Sequence, residues 1–160
     1  GNDRLRGTNG DDQISGKGGN DDLIGLKGKD VMVGGSGRDA VLGGDEFGPL
    51  TGDRTLDGGT GGDFVGGGGG ADSLAGGAGR DFLTAGPPDD APQDEAAGGE
   101  GNDAITAKNR PAARDVVACG PGFDRVLVDG KDLTSSCERT FTSSRRFYDS
   151  VQPYYFRPLP

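Results

Sequence analysis

The chain has 160 residues, a length for one domain, with 34 glycines, a hydrophobic fraction of 31% and a formal net charge of −9. Histidine is absent, which excludes imidazole-based zinc, copper or iron sites and any histidine general base. The acidic balance argues against a nucleic-acid partner, and no apolar run is long enough for a membrane-spanning helix.

From the first residues an aspartate recurs every nine positions: Asp3, Asp12, Asp21, Asp30 and Asp39. Two places after each stands Leu5, Ile14, Leu23, Met32 or Val41, and glycines precede each aspartate. The unit is therefore G-G-x-G-x-D-x-U-x, with U a large aliphatic residue. An insertion near 43–51 carries Asp45, Glu46 and Pro49, after which Leu56, Val65, Leu74 and Leu83 restore the step. Asp63, Asp72 and Asp81 keep the offset, whereas Leu56 has Arg54 at its aspartate position and Asp53 one place early. Insertions near 85–97 (rich in Pro, Asp and Glu) and 108–113 interrupt the remaining units, Asp103/Ile105, Asp115/Val117 and Asp124/Val126. Twelve units result, all with an aliphatic U and eleven with aspartate in register. Because the register resumes each time, the insertions are expected to be surface bulges on one stack.

Such composition would ordinarily suggest disorder, but strict periodicity argues against it. The glycine-rich hexapeptide should turn, and x-U-x should form a short strand with U inward. Two nonapeptides then make one coil with parallel strands on two faces. The expectation is an all-β parallel β-roll, or β-solenoid, of about six coils and roughly 28 Å. One U residue per unit, helped by Val33, Phe64, Phe82 and Phe123, makes a thin core for so many glycines. Bound metal is the obvious further contributor.

Stacked carboxylates would repel one another without cations between them. Carboxylates and backbone carbonyls are hard oxygen ligands that suit several Ca2+ ions, and calcium tolerates irregular geometry better than magnesium. Asp3, Asp21 and Asp39 should line one column and Asp12 and Asp30 the other, followed by Asp63 and Asp81 against Asp72. Arg54 would interrupt the second column. Asp103 and Asp124 extend the candidate ligands, with carbonyls from Gly16, Gly25, Gly34, Gly35, Gly37, Gly58, Gly59, Gly76, Gly77, Gly98 and Gly99.

Repeats such as GGSGRDAVL, GGAGRDFLT and GGEGNDAIT resemble the RTX family, the hemolysin-type calcium-binding repeats of bacterial secreted proteins. The resemblance covers about residues 1–127 and is looser at Gly7–Ser15, Arg54 and Asp115. It implies a parallel β-roll, calcium-driven folding and export to the extracellular space or cell surface. Ligand roles carry over best to Asp21, Asp30, Asp39, Asp63, Asp72, Asp81 and Asp103. Asp115, in RPAARDVVA, has the glycine context of a strand-flanking residue.

Cys119 and Cys137 are the only cysteines. They read as free thiols in a cytosolic protein and as a disulfide in an exported one. The stretch between them resembles the closing segment of exported actinobacterial repeat proteins, which implies a disulfide-stapled cap over 128–138. Residues 139–160 form an aromatic, basic tail with Phe141, Phe147, Tyr148, Tyr154, Tyr155 and Phe156. It either packs back along the roll's own side or docks on a neighbouring acidic copy. The chain starts inside a repeat, which favours assembly with copies of itself as a head-to-tail filament or a surface layer.

No catalytic constellation is present: no histidine base, no G-x-S-x-G elbow and no P-loop. The expected function is an exported, calcium-binding structural β-roll. A secretion and folding module of a larger exported enzyme or toxin, or a calcium-dependent adhesion module, are the alternatives.

Overall fold

The computed structural model describes residues 1–44, 52–53, 55–87, 92–109, 113–142 and 144–147. Arg54, the inserted segments in part, and the tail beyond Phe147 lie outside the described residues. Among the described residues fifteen short strands wind into a parallel β-solenoid, with a helical turn at 144–147. No helix among them is long and apolar enough to cross a membrane.

One sheet holds β1 (Arg4–Arg6), β3 (Asp22–Ile24), β5 (Ala40–Gly44), β7 (Phe64–Gly68), β9 (Phe82–Thr84), β11 (Ala104–Thr106), β13 (Arg125–Leu127) and β15 (Arg139–Phe141). The other holds β2 (Gln13–Gly18), β4 (Val31–Gly37), β6 (Thr55–Gly61), β8 (Ser73–Gly79), β10 (Glu95–Gly101), β12 (Val116–Ala118) and β14 (Leu133–Ser135). Each strand pairs in parallel with the strand two places on, so the chain alternates between sheets at every turn.

The U residues face inward because side chains alternate across a strand. In β4, Met32 and Gly34 are buried while Val31 and Val33 are only half covered. Leu23, Met32, Val41, Leu56, Val65, Leu83, Ile105, Val117 and Val126 are fully buried in one continuous core. Phe64 and Phe123 do not contribute to it as expected: one and three places before the U position, they are 38% and 41% exposed on the outside. Phe82 belongs with them, in a second cluster, and Val33 likewise occupies a half-covered position.

Register survives the insertions. Met32 aligns with Leu56, and Leu56 with Leu74, across the first insertion. The second insertion is shorter than expected. Leu74 aligns with Ala96, so residues 94–97 are a further repeat unit and not part of a bulge. Its U position holds alanine, which hid it from an aliphatic pattern. The period also continues past residue 127, through β14 paired with β12 and β15 paired with β13.

Glycine is obligatory where coils touch at the turns. Gly61 has φ 143°, and a Cβ there would strike the Gly37 carbonyl of the preceding coil. That position is open to glycine alone.

Candidate metal-binding turns

Two aspartate ladders run along the two edges of the roll. On the first edge, where the chain passes from the even-numbered to the odd-numbered sheet, the Asp21 amide donates to Asp39 Oδ1 at 2.8 Å. The same bond joins Asp3 to Asp21, Asp39 to Asp63, Asp63 to Asp81, Asp81 to Asp103 and Asp103 to Asp124, at 2.7–2.9 Å. The Asp124 amide ends it on Glu138 Oε2 at 2.8 Å.

On the second edge the order is Asp12, Asp30, Asp53, Asp72, Asp94, Asp115 and Asp132. The column is not interrupted at residue 54, as the sequence suggested. Asp53 takes the rung, accepting from the Asp30 amide at 2.9 Å, and the extra residue is absorbed before β6. Asp115 is likewise a full rung and not a strand-flanking residue. Asp94, Asp132 and Glu138 were not foreseen. Asp94 precedes an alanine U position, Asp132 closes a shortened turn, and Glu138 replaces the aspartate altogether.

Each rung uses Oδ1, which leaves Oδ2. In Asp21, Asp39, Asp63, Asp103 and Asp124 this second oxygen is buried with no hydrogen-bond partner. A buried, unpartnered carboxylate oxygen is costly in a metal-free fold. The first four lie beside a glycine whose missing side chain leaves room, whereas Asp124 has Cys119 at that place. A Cβ on Gly34 would come 2.7 Å from Asp39 Oδ2 and 2.6 Å from the carbonyl oxygen of Gly58, one coil on. Gly16 and Gly58 stand in the same relation to Asp21 and Gly34, and to Asp63 and Gly76. Gly98 does so with Asp103 and the Cys119 carbonyl. Gly25 and Gly76 repeat the geometry around Asp30 and Asp81. Gly35, Gly37, Gly59, Gly77 and Gly99 lie in these turns with positive φ, where carbonyls of successive coils stack.

The donors at each turn are thus one carboxylate oxygen and backbone carbonyls, a hard set that fits a calcium ion. Among the described residues no three carboxylates or thiols gather, so backbone carbonyls and water would complete any site. Electrostatics points the same way. Burial, reinforced by Asp103 and Asp63, pushes the Asp81 carboxyl up to about 7, against the backbone hydrogen bond from Asp63. Burial pushes Asp103 up to about 6. Asp39, Asp63 and Asp124 are raised by the same cause. A cation beside them would restore the charged form.

The edges are not equivalent. All three insertions fall on the second edge, before Asp53, Asp94 and Asp115. At three of its seven rungs protein donors also reach Oδ2: the Thr8 amide to Asp12 at 2.6 Å, Asn109 Nδ2 to Asp115 at 3.3 Å, and the Asp129 amide to Asp132 at 2.8 Å. Ala85, Ala107 and Val128 stand two places after the U position, where most units carry glycine, and are buried. The first edge keeps an unbroken six-residue turn from Gly16–Asp21 through Cys119–Asp124.

Cys119 and Cys137 form a disulfide with a Cα–Cα distance of 5.1 Å, tying the turn after β12 to the next coil.

A family model described as the RTX calcium-binding nonapeptide repeat, in four copies, matches residues 1–32, 15–46 and 51–87, more than half of the chain. The chain belongs to that family. RTX repeats bind calcium, and the family's domains are structural or binding units that are not typically catalytic. A comparison with curated proteins found no match. The RTX units matched end at residue 87, whereas the ladder continues to Glu138.

Proposed function

We propose that this RTX chain is an exported structural β-roll whose turns take up calcium, chiefly along the first edge. The observation that carries this reading is the row of buried, unpartnered Oδ2 atoms at Asp21, Asp39, Asp63 and Asp103. Each lies near a backbone carbonyl from the adjoining coil, a glycine's for the first three and that of Cys119 for Asp103. A bound calcium ion would supply the positive charge that offsets this column of carboxylates. The chain's own contribution is to hold the oxygens in place: Oδ1 is fixed by an amide of the preceding coil, and glycine keeps the space beside Oδ2 clear.

Export is supported by the Cys119–Cys137 bridge, since disulfides persist in oxidising compartments. Extracellular calcium is also plentiful enough to load weak sites of this kind.

Calorimetric titration tests the reading. Calcium should bind at several sites, magnesium should compete poorly, and Asp39→Asn with Asp63→Asn should lower the stoichiometry. No heat from millimolar calcium, or equal stoichiometry in the double variant, would overturn it.

A further inference from the structure

The outer face of the odd-numbered sheet carries an open apolar groove of about 580 Å³, lined by Ile24, Leu42, Phe64, Gly66, Thr84 and Pro87. Register places Ile24, Leu42, Gly66 and Thr84 in one row across β3, β5, β7 and β9. Gly66 lowers the floor of that row, because a Cβ there would come 3.1 Å from Leu42 Cδ2. Leu42 and Phe64 are 37% and 38% exposed, an unusual apolar concentration on so polar a chain.

The same face is already covered at its C-terminal end by the chain's own tail. After β15 the Thr142 carbonyl is held by Lys108 Nζ at 2.6 Å. The helical turn at 144–147 then brings Phe147 down, fully buried, among Ala104, Leu127, Phe82 and Phe141. Phe141 and Phe147 meet edge to face at 5.8 Å. From Phe141 on β15 the chain has therefore turned back over β13 and β11, where Leu127 and Ala104 lie, toward Phe82 on β9. Phe82 on β9 stacks on Phe64 at 5.7 Å, and Phe64 is the near wall of the groove.

We propose that residues 148–160 of the same chain occupy this groove. The segment has the chemistry to fill it: Tyr148, Val151, Tyr154, Tyr155, Phe156 and Leu159. It also has the reach. Ile24 lies three strand spacings from Thr84, about 14 Å, whereas an extended segment of this length spans about 40 Å. Occupation in cis needs no second molecule, and the tethering by Phe147 raises the local concentration of the segment at the groove. The tail is then a strap along the sheet face and not an arm for a neighbouring copy.

Photo-crosslinking tests this. The full chain, in calcium, carries benzoylphenylalanine at Phe64 or, separately, at Leu42, and equal amounts of light and isotopically heavy protein are mixed. Crosslinks from both positions should map to residues 148–160 and join light to light and heavy to heavy only. Mixed light–heavy crosslinks, or none to residues 148–160 from either position, would overturn the proposal. All three tyrosines of the chain lie in this segment, so their fluorescence gives a second readout. Leu42→Asp should increase acrylamide quenching at least twofold while circular dichroism stays native. Equal quenching with and without that substitution would refute occupation of the groove.

Discussion

The Asp39 amide donates to Asp63 Oδ1 at 2.8 Å, although 24 residues separate the two. Asp21 and Asp39, 18 residues apart, make the same bond at the same length. The rung is therefore indifferent to how much chain lies between its ends. What it requires is a carboxylate at the start of each strand; a vacant glycine position lies next to Asp21, Asp39, Asp63, Asp81 and Asp103 on the first edge. Sequence added between them leaves on the second edge, and the first edge remains uninterrupted.

Filling one of those vacancies should remove one ion. Gly34 has ordinary backbone angles, so Gly34→Ala acts through its methyl group alone, which would meet Gly58 O and Asp39 Oδ2. The expected cost is about 1–3 kcal/mol, with one calcium fewer by titration. Gly130→Ala, where nothing lies within 4 Å, should change neither quantity appreciably.

At the Asp115 rung of the second edge a side chain serves where the first edge has an open oxygen. Asn109 donates to Asp115 Oδ2 and accepts from the Ala113 amide, so Asn109→Ala strands two buried polar groups. A loss of about 1–3 kcal/mol is expected, read as a lower urea midpoint. Calcium stoichiometry should not fall. A drop in bound calcium without loss of stability would mean that the Asp115 turn is itself an ion site.

Most of the architecture was legible because period and chemistry coincide: Leu5 to Val126 named twelve of the strands, and the disulfide followed from two cysteines in an exported family. Four rungs were not: Asp53, Asp94, Glu138 and Asp132, the last in a shortened turn. Asp94 was obscured by Ala96, a U residue too small to register as aliphatic, and by the prolines before it. Asp53 was displaced by one residue, and Glu138 is not an aspartate. The inequality of the edges could not be read from the repeat either. It depends on which side of the coil each insertion leaves, and so on strand parity.

Acid should substitute in part for calcium. The Asp81 and Asp103 carboxyls titrate at about 7 and about 6 in the metal-free fold, above their ordinary range near 3.9. The folded chain therefore holds more protons than the unfolded chain between these values. The stability linked to those protons is complete below about pH 4 and disappears as pH rises through 6 to 7. In chelator, the urea midpoint should be higher at pH 5 than at pH 8. With saturating calcium the difference should shrink or reverse, since protons then compete with the ion.

The disulfide should stabilise the closing coil without governing calcium. Cys119 and Cys137 enclose a loop of 18 residues, for which about 3 kcal/mol is typical. Cys119→Ala with Cys137→Ala should lower the melting temperature, yet leave binding at Asp21, Asp39 and Asp63 intact. Titration calorimetry on the folded variant checks this.

Far-ultraviolet circular dichroism at neutral pH, in millimolar calcium and then in excess chelator, tests the central claim most directly. Calcium-loaded protein should give a stable β-sheet spectrum. Chelation should abolish it or lower its melting temperature by more than 10 °C, about 3–5 kcal/mol for a domain of this size, and added calcium should restore it. An identical spectrum and identical melting in both conditions would contradict a calcium-stabilised roll.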